Sequence, residues 1–389
     1  MIAQRRRGTS FVSAILGFRG GHGWAEDPAI GVAAALAETW RVESSPSLAG
    51  LSLRWDDGED DRHFVARAVA PDLKTVLDAL SLERNPHLEW PSLRFRRMLP
   101  ALTSAENSFD HIAARKERSA LFGNHPYAAY VPAARADAVS GQALQRFFTT
   151  VRRPDNAVLV LVSDTDPEEV RNAVQAAFDK WQKPSGAPIA PPPAIDLQAT
   201  RSPSSPIIVN KAGSQVELRF ACLLEQGVEQ QRVAEETLAD ALRRQAYATL
   251  RDETGIAYYA SAHFRSLAAG VDEISVQTTV DKRHVAQALS FFKSLSHLQA
   301  PPISEPSLAW LRFQGLQAVA FRDETSIQTA DSLYGAWLEH VDLNELEQWP
   351  TRIAAINMTD LLGPLQSCTR HSVIVAIGDQ ATIEEANKN

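Results

Sequence analysis

The sequence predicts an α+β protein made of two duplicated halves, and three observations carry that expectation. Residues 183–206 form a Pro- and Ser-rich stretch that cannot build a long helix or a sheet interior. It cuts the 389-residue chain near its middle. Segments on the two sides then repeat in the same order, which is the signature of a duplication. Finally, strands and helices mix without strict alternation of β and α, which excludes a doubly wound sheet. The expected organisation is an N-terminal domain over 1–182, a linker over 183–206 and a C-terminal domain over 207–389.

Each element follows from local pattern. Phe11 to Phe18 is an apolar strand leading into a helix that runs through Glu38, and Val216 to Leu224 leads likewise into Val233 to Leu250. Phe64 to Val69 precedes a helix from about Asp72 to Leu80, matched by Ile274 to Val280 and then Arg283 to Leu295. Leu93 to Asn107 and Leu308 to Arg322 both have helical period. Asn156 to Asp164 and His371 to Asp379 are apolar strands that end on a turn aspartate. The helix from Pro167 to Trp181 is the best marked, with Asp166 as N-cap, Pro167 in the first turn and Val170, Val174, Ala177 and Trp181 on one face. Ile207 to Val209 reads as an extra strand with no partner before Phe11, so the first half looks clipped, as does the last helix, which stops at Asn389.

Composition narrows the function classes. The formal charge is −8, with 39 Lys plus Arg against 47 Asp plus Glu, and no basic stripe marks a nucleic-acid binder. No window approaches the run of about 18 apolar residues that spans a membrane. Two cysteines, Cys222 and Cys368, are too few for a disulfide scaffold and read as buried free thiols. Arg5-Arg6-Arg7 followed by Phe11 to Leu16 imitates a secretion signal, but Gly20-Gly21-His22-Gly23 interrupts it. The apolar run is therefore taken as a strand and the location as cytoplasmic, with export the alternative. The ten histidines are scattered, no two closer than 13 residues, and H-E-x-x-H, its inverse, G-x-S-x-G and P-loop motifs are all absent. The chain on its own chemistry offers no recognisable catalytic centre.

Two stretches nevertheless carry a resemblance. Leu121-Phe-Gly-Asn-His-Pro-Tyr127 and Leu250-Arg-Asp-Glu-Thr-Gly-Ile-Ala-Tyr258 are similar to the L-F-G-x-H-P-Y and L-R-x-x-x-G-x-A-Y segments of the insulinase-like (M16) zinc metallopeptidases. The resemblance implies that family's architecture, two α/β-sandwich halves joined by a linker. It also exposes a departure. Active members carry G-x-x-H-x-x-E-H on the helix after the first strand, two histidines binding zinc and the glutamate activating water. The matching stretch here is Gly31-Val-Ala-Ala-Ala-Leu-Ala-Glu38, so Ala34 and Glu38 stand at the histidine positions and Ala37 at the general base. A methyl group can neither ligate a metal nor accept a proton. The counterpart of the third ligand falls near Ala101, with Glu106 close by.

The second-half motif survives. In the family its arginine and tyrosine bind the substrate backbone and support the developing oxyanion of a zinc site held elsewhere, so the resemblance assigns that role to Arg251 and Tyr258. A guanidinium and a phenol are fixed donors suited to it. Taken without the resemblance, Arg251 is an arginine at a helix C-terminus and Tyr258 a strand residue. Tyr259 points to the opposite face of an alternating strand. His125 reads as a packed, hydrogen-bonded residue. Arg94, Arg96 and Arg97 form a solvated helix face or the border of a peptide channel, and Phe291, Phe292 and Trp310 read as core.

The family's chamber needs four such units and this chain supplies two. The resemblance therefore implies a non-catalytic subunit of a heterodimer. Its sister M16 chain would carry H-x-x-E-H and the zinc, no metal would sit in this chain, and the substrate would be a peptide, which the mildly acidic chain suits if cationic. The alternative is an M16-like scaffold or peptide-binding protein with no catalytic role.

Overall fold

The computed structural model describes residues 1–44, 50–69, 72–84, 90–199, 203 and 205–388. Among the described residues, ten strands form two five-stranded sheets: β1 (Ile2–Arg5), β2 (Phe11–Arg19), β3 (Leu51–Asp57), β4 (Asp61–Val69) and β5 (Ala157–Ser163) in one, β6 (Ile207–Asn210), β7 (Gln215–Glu225), β8 (Ala257–Leu267), β9 (Val271–Asp281) and β10 (Ser372–Gly378) in the other. Their orders are β1-β5-β2-β4-β3 and β6-β10-β7-β9-β8, the same topology twice. Each has one parallel pair at an edge, β1 on β5 and β6 on β10, with the rest antiparallel. The fold is α+β and the duplication is visible strand for strand. One expectation is corrected: the first half does have its counterpart of Ile207–Val209. Ile2 pairs with Val160 as Ile207 pairs with Val375, and a four-residue edge strand is too short and too exposed to show a pattern.

Two compact units cut across the sequence halves. The first comprises Met1–Thr103, Val131–Pro192 and Ala318–Glu347. Strand alternation sorts β2 between its faces. Val12, Ala14, Leu16 and Phe18 join the core beneath the Pro28–Ser44 and Gly141–Val151 helices. Ile15 turns the other way, with Val65, Val160 and Val162, against Ala330 and Tyr334 of the Ser326–Leu338 helix. That helix comes from the second half of the sequence. Ser13 and Ser326 hydroxyls meet at 2.8 Å, and the Tyr334 hydroxyl donates to Asp61 Oδ2 at 2.7 Å. Gly17 makes room for the Tyr334 ring, since a Cβ there would lie 2.1 Å from its Cε2.

The second unit comprises Ser104–Tyr130, Pro193–Gln317 and Gln348–Asn389. Val216, Leu218, Phe220, Cys222 and Leu224 of β7 face the core formed with the Glu229–Tyr247, Val285–Leu295 and Leu362–Arg370 helices. The other face of the sheet takes the Phe109–Phe122 helix, which comes from the first half of the sequence. Ala113 packs on Val375 and Ile377, while Leu121 and Phe122 pack on Ala221 and Leu223. The cysteines are corrected from free thiols to a disulfide: Cys222 on β7 and Cys368 are bonded, with Cα atoms 4.9 Å apart. They stand 146 residues apart in sequence, so only the packing of the Leu362–Arg370 helix on β7 reveals the pair.

The Pro-rich stretch is extended and pinned. Its Ile189 N–H reaches the Thr150 carbonyl in the first unit, and its Ile195 N–H reaches that of Ala269 in the second. Arg153 donates to the Gly186 carbonyl at 2.9 Å. Residues 200–202 and 204 of the expected linker lie outside the described residues. Among the described residues, no helix is long and apolar enough to cross a membrane.

Candidate functional site

In the first unit, the Pro28–Ser44 helix presents Ala34 and Ala37 to the sheet, where both are buried among apolar side chains. Glu38, one turn beyond Ala34, is fully buried and pairs with Arg152 at 2.8 Å. Arg152 in turn donates to the Glu83 carbonyl at 2.7 Å and lies over the rings of Phe148 and Phe64. The helix start is held as closely. Arg62, also fully buried, donates to the Gly31 carbonyl at 3.0 Å and pairs with Asp57 at 3.1 Å. Burial lowers the Arg62 pKa, and Asp57 and Glu38 oppose that shift. A buried pair of this kind is costly to break, because removing one partner strands the other's charge.

These residues do not fit zinc. Ala34 and Ala37 have no donor atom, and the Glu38 carboxylate is engaged by a guanidinium. Ala101 is exposed on the Leu93–Ala105 helix, while Glu106 falls in the second unit and hydrogen-bonds Tyr130. Among the described residues, no three His, Cys, Asp or Glu side chains gather as metal ligands.

In the second unit, the Arg/Tyr motif spans a helix end and the start of an edge strand. The Glu229–Tyr247 helix widens into a π-helical turn, Ala248–Glu253. Such turns are rare and recur at functional sites. The stop follows the same widening. Gly255, at φ +65°, bonds back to the Arg251 carbonyl and Ile256 to that of Leu250, each at 3.0 Å. Both bonds reach one residue further than in an ordinary glycine-terminated α-helix. The Thr254 hydroxyl donates to the Thr249 carbonyl at 2.8 Å. Buried Leu250 and Ile256 anchor the two sides of the turn.

This stop brings Arg251 and Tyr258 together. The guanidinium lies 5.4 Å from the Tyr258 ring centroid and 4.8 Å from that of Tyr247, within the range of cation–π attraction. Tyr258 is 83% exposed, so its hydroxyl is open to a ligand. The expected opposite-face placement of Tyr259 is corrected by a bulge. Ala257 pairs with Val280 and Ala260 with Thr278, so the two tyrosines share one position opposite Thr279. Both alanines turn to the core and both tyrosines stay outside it. Tyr259 instead places its hydroxyl 3.2 Å from that of Thr279.

Trp310, expected in the core, is also corrected. It is 39% exposed on the Glu305–Arg322 helix, and the Arg244 guanidinium lies 4.5 Å from its ring centroid. An apolar helical period does not say which residues a neighbouring element covers. Phe291 and Phe292 are buried. Tyr247 and Arg244 went unnoticed in the sequence, although their spacing of four and seven residues from Arg251 puts all three on one helix face. His125 accepts from the Tyr127 N–H through Nδ1 and meets the Pro193 carbonyl with Nε2 at 2.8 Å, a packed role. Arg96 pairs with Asp137 at 3.7 Å, and the Arg94 side chain lies outside the described residues.

Among the buried acids of the second unit, Glu235 and Glu117 are shifted furthest. Glu235 and Asp272 are both fully buried, with Gln231 donating to Glu235 at 3.0 Å and the Gly227 N–H to Asp272 at 3.3 Å. Burial, then the neighbouring Asp272, pushes the Glu235 carboxyl up to about 9. Burial and then Glu273 push Glu117 up to about 8, against the pull of Arg219.

Comparison with known proteins agrees with this fold. The family model described as the Peptidase M16 inactive domain matches residues 138–311. No curated protein sequence matches the chain. A protease from Helicobacter pylori has the same fold, with TM-score 0.80 at 14% identity, covering 96% of this chain and 96% of that one. The peptidase M16 inactive domain from Pseudomonas fluorescens gives 0.77 at 15% identity, over 97% and 94%. A chain of Complex III2 from Candida albicans gives 0.75 at 15% identity, over 99% and 96%. The chain shares its fold with these structures, and residues 138–311 are similar to the Peptidase M16 inactive domain.

Proposed function

We propose that this chain is the non-catalytic subunit of a two-chain M16 peptidase, pairing with a sister chain that carries H-x-x-E-H and the zinc. The carrying observation is the contrast between its two motifs. The helix of the zinc positions is closed into a core by Ala34, Ala37 and the Glu38–Arg152 pair. The Arg251–Tyr258 pair is exposed and preset, with the guanidinium flanked by two rings. An arginine held in this way keeps its N–H edges available as donors and loses less rotamer freedom on binding. In this reading Arg251 and Tyr258 hold a substrate carbonyl oxygen and donate to it as negative charge develops there. The inactive-domain match favours a chain that does not hydrolyse peptides alone.

The Cys222–Cys368 disulfide supports work in an oxidising compartment rather than the cytoplasm, since intracellular thiols are generally kept reduced. Alkylation in denaturant without reductant, followed by mass measurement of protein from its native source, tests this: two alkylated thiols would place it in the cytoplasm.

The pairing is tested by co-expression with an H-x-x-E-H chain of similar length, followed by size-exclusion chromatography and metal analysis. The expected result is one peak, an interface above roughly 2,000 Å² in total as for obligate complexes, zinc bound by the sister chain only, and hydrolysis that needs both chains. Two peaks at micromolar concentration, with the sister chain fully active alone, would favour the scaffold reading instead.

A further inference from the structure

The Arg251–Tyr258 pair does not stand alone on its surface. Arg244, Tyr247 and Arg251 share one face of the same helix, and each guanidinium is set against rings: Arg244 over Trp310 at 4.5 Å, Arg251 over Tyr247 at 4.8 Å and over Tyr258 at 5.4 Å. Trp310 is 39% and Phe313, one turn further along its helix, 55% exposed. The result is an aromatic stripe crossed by two cations, all within the second unit.

The ion pairing of the unit's arginines points to their ligand. Arg219, Arg243, Arg265 and Arg283 of the same unit each meet a carboxylate. Arg244 and Arg251 meet none among the described residues, and Asp252 and Glu253, although next in sequence, form no ion pair with Arg251. A guanidinium stacked on a ring is satisfied on its face and unsatisfied on its edge, and that edge matches a carboxylate in two parallel hydrogen bonds. Two arginines with no carboxylate partner among the described residues thus lie on one stripe of a chain whose net charge is −8.

We propose that this stripe is a docking surface for an extended acidic segment of polypeptide, with Arg244 and Arg251 each taking one carboxylate and Trp310 and Tyr258 packing against the intervening residues. Seven residues separate the arginines, about 10 Å at a helical rise of roughly 1.5 Å per residue. An extended chain at roughly 3.3 Å per residue covers that distance in about three residues. The surface therefore selects acids spaced about three apart. It replaces the cationic substrate suggested by overall charge with an anionic one suggested by the local site. The assignment of this segment as substrate rests on the peptidase-subunit reading above; the binding itself does not.

The test uses the full-length chain alone, with no sister chain, and fluorescence anisotropy of labelled twelve-residue peptides. One peptide carries two glutamates three apart in an uncharged background; a second has lysines in their place; a third has the glutamates adjacent. The expected order is the first over the third over the second. Affinity for the first should drop about tenfold or more in Arg244→Gln and in Trp310→Ala, and should weaken as salt is raised. Equal binding of the lysine peptide, unchanged affinity in both variants, or tighter binding of a twelve-nucleotide oligo-dT would overturn the proposal. Such an outcome leaves the subunit reading standing, because turnover of the complex tests that separately. Conversely, specific binding together with an inert Arg251 in the complex would sink the subunit reading and keep the surface.

Discussion

Arg251 owes its position to a chain of local causes: a π-helical turn, a glycine at φ +65° and a bulge that places two tyrosines outside the core. Gly255 had to be a residue at ease with positive φ, and L-R-x-x-x-G-x-A-Y shows it plainly in the sequence. The bulge was not legible, since it depends on how β8 pairs with β9, and this is why Tyr259 was expected on the face opposite Tyr258. Its hydroxyl touches only the exposed Thr279 hydroxyl, so Tyr259→Phe should shift stability by no more than about 0.5 kcal/mol, as for most surface changes. The buried acids give a sharper residue-scale expectation. Glu117 and Glu235 keep their protons in the folded chain to about 8 and about 9, whereas unfolded glutamates lose theirs near 4.5. Between those limits the folded state binds more protons, so stability falls as pH rises from about 5 to 9. Melting temperatures at pH 6 and pH 9 check this. Glu117→Gln and Glu235→Gln should each reduce the drop, and parallel drops in wild type and both variants would contradict the assignment.

At the scale of elements, the long apolar strands and capped helices were readable because periodicity and caps are local. Asp166, the expected cap of the Pro167 helix, accepts the Glu168 N–H at 3.0 Å, and β5 and β10 run within a residue of their expected ends. The edge strands β1 and β3 were missed because only one face is covered and their side chains are mixed. The exchange of the Phe109–Phe122 and Ser326–Leu338 helices between sequence halves was equally invisible, as no local pattern says which sheet a helix will cover. Gly17 gives the exchange a single-residue test. An added methyl at 2.1 Å from the Tyr334 ring forces that helix off the sheet, so Gly17→Ala should cost about 1–3 kcal/mol, the usual range for overpacking. Urea unfolding measures it, and Gly17→Ala combined with Tyr334→Leu should recover part of the loss. The disulfide closes a loop of 146 residues, for which the chain-entropy account allows up to about 5 kcal/mol. Reduction should therefore lower the melting temperature of the wild type and leave a Cys222→Ala, Cys368→Ala chain unchanged.

For the whole molecule, the site was legible only through a motif shared with a family, and only in part. Composition, charge and histidine spacing offered no recognisable catalytic centre, and the structure buries Ala34 and Ala37 among apolar side chains. The stripe through Arg244 and Trp310 could not be read, because Trp310 lies 66 residues along the chain from its guanidinium partner, and its period alone suggested core. The account as a whole depends on Arg251 and Tyr258 acting on chemistry housed in another chain. Its most direct test is kcat/KM of the reconstituted two-chain peptidase with Arg251→Ala and with Tyr258→Phe, assembly and zinc content being checked in parallel. The account predicts intact assembly, unchanged zinc and a loss of about 10²–10³ in kcat/KM for Arg251→Ala, the usual effect of deleting one oxyanion donor. Tyr258→Phe, which removes only the hydroxyl, should lose at least about tenfold. Full turnover in both variants would contradict it.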